Sequence, residues 1–171
     1  IQSKLPNVGT TIFTVMSKMA HDFGAINLSQ GFPDFEPAPE LLERVSYYLG
    51  AGKNQYPPMA GVQELRQAIA KKIVDQSGIE IDPETEITIT SGATEALFCS
   101  IHAVVGPGDE VIVFDPAYDS YEPAIELAGG TAVRLPLTLP DYRIDWDLLK
   151  DALNDRTRLV IINSPHNPTA T

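Results

Sequence analysis

The chain has 171 residues, enough for one domain of ordinary size, and 43% hydrophobic with 20% charged residues is a globular composition. Its 12 basic and 23 acidic residues leave a net charge of −11, which argues against a nucleic-acid backbone as partner. No window reaches the uninterrupted apolar length of a membrane span, and residues 1–30 lack the basic start and apolar run of a signal peptide. Cys99 is the only cysteine, so no internal disulfide can form. That fits a reducing cytoplasm, with Cys99 expected as a small buried apolar residue. The sequence opens at Ile1 without a start methionine, and a start further upstream is expected.

Phe13, Met16, Met19, Ala20 and Phe23 recur at helical spacing, with Gly24 as the stop. Residues 26–35 hold too many turn formers for a long element and predict a short extended segment and a loop. A helix is expected from Pro39, its apolar side carrying Leu41, Leu42, Val45, Tyr48 and Leu49, ended by Gly50 and Gly52. After a loop through Tyr56, Pro57, Pro58 and Gly61, Val62, Leu65, Ala68, Ile69 and Ile73 predict another helix that stops at Gly78. From Glu86 onward, strand and helix alternate. Strands are expected at 87–90, 111–114, 131–135 and 159–162, with helices at 93–105, 120–127 and 146–153. That alternation predicts an α/β fold, a mostly parallel sheet flanked by helices.

Ligands of open α/β sheets bind beyond the carboxyl ends of the strands. Three segments occupy that edge: Ser91-Gly92-Ala93-Thr94, Asp115-Pro116-Ala117-Tyr118, and Asn163-Ser164-Pro165-His166-Asn167-Pro168. Gly92 allows close approach to a ligand, and the free amides of a following helix start attract phosphate. The same residues also fit an ordinary N-cap. Tyr118 offers a ring on which a planar cofactor can stack. The prolines flanking Asn167 restrict the direction of its amide, which suits contact with a ligand oxygen. Neither the dinucleotide nor the nucleoside-triphosphate motif is present. His21, His102 and His166 lack zinc-site spacing, so no metal is expected.

The sequence resembles the class I/II aminotransferases of pyridoxal-phosphate (PLP) fold type I, in particular the methionine and kynurenine/glutamine aminotransferase branch. The likeness runs from about Thr10 to Thr171 and rests on five blocks in order: 26–35, 54–61, 91–96, 114–121 and 164–169. It implies that Gly92, Ala93 and Thr94 hold the cofactor phosphate, that Tyr118 stacks on its ring, and that Asn167 bonds its phenolic oxygen, with a cis bond at Asn167–Pro168. It places Gly31 by the substrate carboxylate and Phe32 near the substrate side chain. It has Tyr56 reach the cofactor phosphate of the other subunit, which implies a homodimer acting on amino and 2-oxo acids. Residues 1–38 correspond to an N-terminal arm and small-domain segment, and 39–171 to the first part of the large cofactor domain.

The resemblance has its limits. The lysine that holds the cofactor as a Schiff base is expected beyond Thr171. None of Lys4, Lys18, Lys53, Lys71, Lys72 and Lys150 has its context, so no catalytic residue is assigned. Ala170 stands where the family often has glycine. Alternatives of the same cofactor class are a cysteine-S-conjugate β-lyase and a non-catalytic PLP-binding domain of a regulator. A nucleotide-binding α/β protein leaves Tyr118 and Asn167 unexplained.

Overall fold

The apolar periodicity of the first ninety residues becomes three helices, and the run after Glu86 becomes a parallel sheet. The structure, a computed structural model, describes residues 2–6, 8–31 and 33–171. These residues form two compact units, Gly9–Ile89 and Ile1–Val8 with Thr90–Thr171.

In the unit Gly9–Ile89, α1 (Ile12–Asp22) starts at Thr11, whose hydroxyl accepts the Thr14 amide at 3.4 Å. Gly24 then turns the chain with a φ of 60°. The Asn27 side chain donates to Ser17 Oγ of α1 at 3.1 Å. Helix α2 (Pro39–Gly50) begins on proline, whose missing N–H costs nothing in a first turn. Neither α1 nor α2 fully buries a residue. Helix α3 (Gln63–Ser77) ends at Gly78 in the left-handed region, as expected. Its Arg66 is buried and donates to the carbonyls of Gly61 (3.3 Å) and Pro83 (2.5 Å), so α3 is tied to both loops beside it.

Residues 87–90, expected as a strand, carry no ladder. The Ile89 amide donates instead to Ala60 O in a loop, at 3.0 Å, while Ile87 is buried. Its β-branched residues favour an extended segment, but it has no strand beside it among the described residues.

The other unit runs α4 (Gly92–Val104), β1 (Glu110–Asp115), α5 (Tyr121–Leu127), β2 (Thr131–Pro136), α6 (Trp146–Ala152), β3 (Thr157–Val160). The strands pair in parallel in the order β2-β1-β3. Strand β1 is therefore central, and its side chains alternate between two apolar layers. Val111 and Val113 meet Ile101, Tyr121, Ala124 and Ile125 from the α4 and α5 side. Ile112 and Phe114 meet Leu135, Leu137 and, from α6, Leu149 and Ala152. The uninterrupted apolar run of β1 is the signature of such double burial. Cys99 is exposed rather than buried, because α4 turns Leu97 and Ile101 toward the core instead.

Glu110 ties the start of β1 to the segment entering β3. It accepts from Asn154 Nδ2 (2.8 Å) and Arg156 Nε (2.8 Å). The Asn154 bond, aided by Arg156 against a desolvation cost, holds its carboxyl below the ordinary value of 4.5. Such a carboxylate adds stability above that pH and loses it as pH falls through the folded value. Urea unfolding should therefore show Glu110→Gln less stable than the parent near neutrality, with the gap closing below pH 4.5. A gap independent of pH would rule out the ionic part of this contact. Gly130 gives a second check. A Cβ there would lie 2.6 Å from Val105 Cγ1 and 3.2 Å from Ile125 Cγ2. Overpacking of this kind costs about 1–3 kcal/mol, so Gly130→Ala should lower the unfolding free energy by that amount at unchanged denaturant slope.

Candidate functional site

Strands β1 and β3 run parallel, with Val160 opposite Ile112 and β1 continuing to Asp115, and the segments that follow them carry the candidates Tyr118 and Asn167. The start of α4 belongs to the same unit. Each of these three segments is built differently.

At the start of α4, Ser91 makes no side-chain cap, so the ordinary N-cap explanation fails for its hydroxyl. The Glu95 carboxylate reaches back to the Ser91 amide instead, in the manner of a capping box. Gly92 has a φ of 81°, which glycine alone adopts freely, and its N–H donates to Thr90 O at 2.8 Å. That commitment takes Gly92 out of the set of free donors. The amides of Ala93 and Thr94 donate to no protein group among the described residues. They lie in the first turn of a 13-residue helix, where the aligned peptide dipoles favour an anion. Ser91 and Thr94, at the same helix start, are exposed. Two amides and two hydroxyls at a positive helix end form a donor set suited to a phosphate group.

After β1, Tyr118 sits half-buried with its hydroxyl 3.4 Å from Thr94 Oγ1. The start of α4 and the Tyr118 side chain thus meet through their hydroxyls. The Tyr118 ring meets the buried Tyr121 edge-on, with centroids 5.7 Å apart at 76°. Burial foremost, with the neighbouring Tyr118 adding, raises the Tyr121 hydroxyl above its ordinary value, so Tyr121 serves as neutral support. One buried polar atom in this loop, Ser120 Oγ, has no hydrogen-bond partner.

Beyond β3, the side chain of Asn163 accepts the backbone amide of Asn167 at 2.6 Å. This Asx-type closure holds the backbone that carries the Asn167 amide. The Asn167–Pro168 bond is cis, as are Ser164–Pro165 and Asp115–Pro116. His166 Nδ1 pairs with Thr169 Oγ1 at 2.8 Å, and the Ala170 amide donates to His166 O. Ala170 adopts a φ of 61°, the left-handed conformation that glycine takes at less cost than alanine.

Gly31 and Tyr56 belong to the unit Gly9–Ile89. Gly31 has no atom within 4 Å of a Cβ added to it, and the Tyr56 ring is fully exposed. Phe32 lies outside the described residues.

Two supporting roles escaped sequence reasoning. Asn163 stands four places before Asn167, a spacing that side-chain-to-backbone closure of a loop could have flagged. Arg134 donates from Nε to both Asp115 oxygens (3.1 and 2.9 Å), from Nη2 to Asp115 Oδ1 (2.8 Å), and from Nη1 to Glu122 Oε2 (2.6 Å). The Asp115 hydrogen bonds above all raise its proton affinity, so the guanidinium stays charged. Nothing in the linear sequence pairs Arg134 with Asp115. The strand register does, by setting Arg134 opposite Val113.

The family profile described as "Aminotransferase class I and II" matches residues 24–171. A methionine aminotransferase of Escherichia coli is 56% identical over 170 residues, covering 99% of this chain and 44% of that protein. A probable N-succinyldiaminopimelate aminotransferase of Mycobacterium tuberculosis is 46% identical, covering 98% of this chain and 43% of that protein. Among solved structures, Escherichia coli YbdL, described as having a methionine aminotransferase function, superimposes with a TM-score of 0.96 at 56% identity. That superposition covers 100% of this chain and 45% of YbdL. The chain thus spans less than half the length of the relatives it matches. Its parallel sheet flanked by helices is the fold of the type I PLP aminotransferases. On its profile, relatives and fold together, the chain belongs to the class I and II aminotransferase family.

Proposed function

We propose that the protein carrying this chain is a PLP-dependent aminotransferase that moves an amino group from an amino acid to a 2-oxo acid, with methionine as amino donor. Members of its family use PLP and act on amino and 2-oxo acids. The observation that carries the reading is the joining of an open helix start to an aromatic ring through Thr94 and Tyr118. The 56% identical relative named for methionine supports the choice of donor.

The donor set fits the cofactor. Ala93 and Thr94 would hold its phosphate through backbone amides, with Gly92 shaping the turn rather than donating. Tyr118 would stack on the pyridine ring, and Asn167 would hydrogen-bond the phenolic oxygen. When bound, the cofactor supplies an electron sink that loosens bonds at the substrate α-carbon and carries the amino group between donor and acceptor. Gly31 would leave room for the substrate carboxylate, and Tyr56 would serve the phosphate of a partner subunit. The full exposure of the Tyr56 ring supports that last role. The same reading makes the protein a cytoplasmic homodimer, with residues 1–38 as an arm and small-domain segment and 39–171 as the first part of the large domain.

A panel of amino donors with a fixed 2-oxo acid acceptor tests the activity. Methionine should be turned over faster than glutamine, aromatic amino acids or N-succinyldiaminopimelate, and turnover beyond one equivalent of 2-oxo acid per bound cofactor should require the acceptor. Release of many equivalents of 2-oxo acid together with ammonia, without any acceptor, would instead indicate elimination chemistry. The cofactor site has its own check. Aromatic stacking contributes about 0.5–1.5 kcal/mol beyond buried area, so Tyr118→Ala should weaken PLP binding at least roughly three- to tenfold. Fluorescence titration of the apoprotein reads this directly, and an unchanged affinity would remove Tyr118 from the site.

A further inference from the structure

We propose that Arg134 is a positioning residue that fixes the ring of Tyr118 by clamping both ends of the loop that carries it. The inference rests on the cofactor site described above and adds to it a residue outside all of the recognised sequence blocks. Asp115 is the last residue of β1 and Glu122 lies in the first turn of α5. Between them run only 116–121, with Tyr118 in the middle. A single guanidinium grips the carboxylates at both boundaries, Asp115 through three hydrogen bonds and Glu122 through one of 2.6 Å. Arg134 is itself fixed, because its backbone lies in the β1–β2 ladder opposite Val113.

Ala117, Tyr118 and Tyr121 pack on the core layer of Val113 and Ile125, but the loop backbone between the two anchors has few bonds of its own. Its one internal backbone bond runs from the Tyr121 amide to Tyr118 O, at 3.2 Å. Ser120 Oγ, which could have capped α5, has no partner. An exposed ion pair is ordinarily worth little, and the Arg134 side chain is 46% exposed. This network differs in two ways. Its Asp115 contact engages both carboxylate oxygens, which fixes direction as well as distance, and its two anchors belong to different elements. Lysine could not reproduce it, since an ammonium is a point charge without the planar fork.

The test uses the complete PLP-binding protein and reads cofactor affinity and the visible circular dichroism of the bound cofactor. Arg134→Met should weaken PLP about three- to tenfold, up to the contribution of the Tyr118 ring, and should shrink the dichroic band. In a Tyr118→Ala background the same substitution should change affinity by less than about twofold, because residues that act through one another are non-additive. Arg134→Lys should fail to restore the parent affinity. Should Arg134→Met not fold, Glu122→Gln removes one anchor only and should show a smaller loss with the same dependence on Tyr118. Equal losses with and without the Tyr118 ring, or no loss in the parent, overturn the clamp while leaving the cofactor site standing. A parent protein that binds no PLP overturns the site and the clamp together.

Discussion

The structure of residues 90–171 depends on burying β1 from both sides. Val111, Ile112 and Val113 are almost wholly excluded from solvent, and their side chains point alternately into two separate apolar layers. A strand so placed needs a neighbour along each edge for its backbone groups and a helix layer on each face. The order β2-β1-β3 supplies the first requirement and α4 and α5 against α6 the second. The consequence for function is geometric. The carboxyl end of the most rigid strand delivers Asp115 and then Tyr118, while the adjacent β3 delivers Asn163 and then Asn167. The candidate residues Tyr118 and Asn167 thus follow the most deeply buried strand of the unit and its neighbour.

A net charge of −11 is an unpromising background for an anionic ligand. Screening limits that field to about 8–10 Å at ordinary ionic strength, so the groups lining the site decide the outcome. Glu95 is bonded to the Ser91 amide, and Asp115 and Glu122 are both bonded to Arg134. These three carboxylates are therefore compensated by nearby donors, and the two open amides of α4 face a less negative environment than the composition implies. Arg134 has an electrostatic consequence here as well as a mechanical one.

The sequence made the elements with a strong period legible. The five-residue apolar pattern of α1, the proline start of α2, the Gly78 stop of α3 and the continuous run of β1 each follow from local chemistry. What a short run of β-branched residues could not supply was a partner, and so residues 87–90 read as a strand although Ile89 bonds to a loop carbonyl. Periodicity likewise identified the apolar faces of α1 and α2 without saying whether anything covers them. In the candidate site the residue types were legible, but the division of labour was not. That Gly92 spends its amide on Thr90, that Ser91 leaves the cap to Glu95, and that Asn163 closes on Asn167 are facts of backbone geometry a few residues long. Arg134 lay further out of reach, because its partnership with Asp115 exists only once two strands are in register.

The manner in which Tyr118 is held follows from what a stacking ring must do. A ring meant to meet a planar ligand has to keep one face open, so it cannot be immobilised by packing on both sides as Val111 is. Stiffness must come from its edges and from the backbone beneath it. Each available edge is used: Tyr121 abuts the ring edge-on, Thr94 approaches its hydroxyl, and the carboxylates on either side of the loop are drawn to one arginine. Bonds at the loop boundaries restrict the backbone without occupying the ring face. A hydrophobic clamp of similar strength would have required apolar surface beside the face that the proposed cofactor would use. Charge-assisted hydrogen bonds from a strand that is already ordered meet the requirement through side-chain ordering of Arg134 and its two carboxylate partners, with no further backbone to fix.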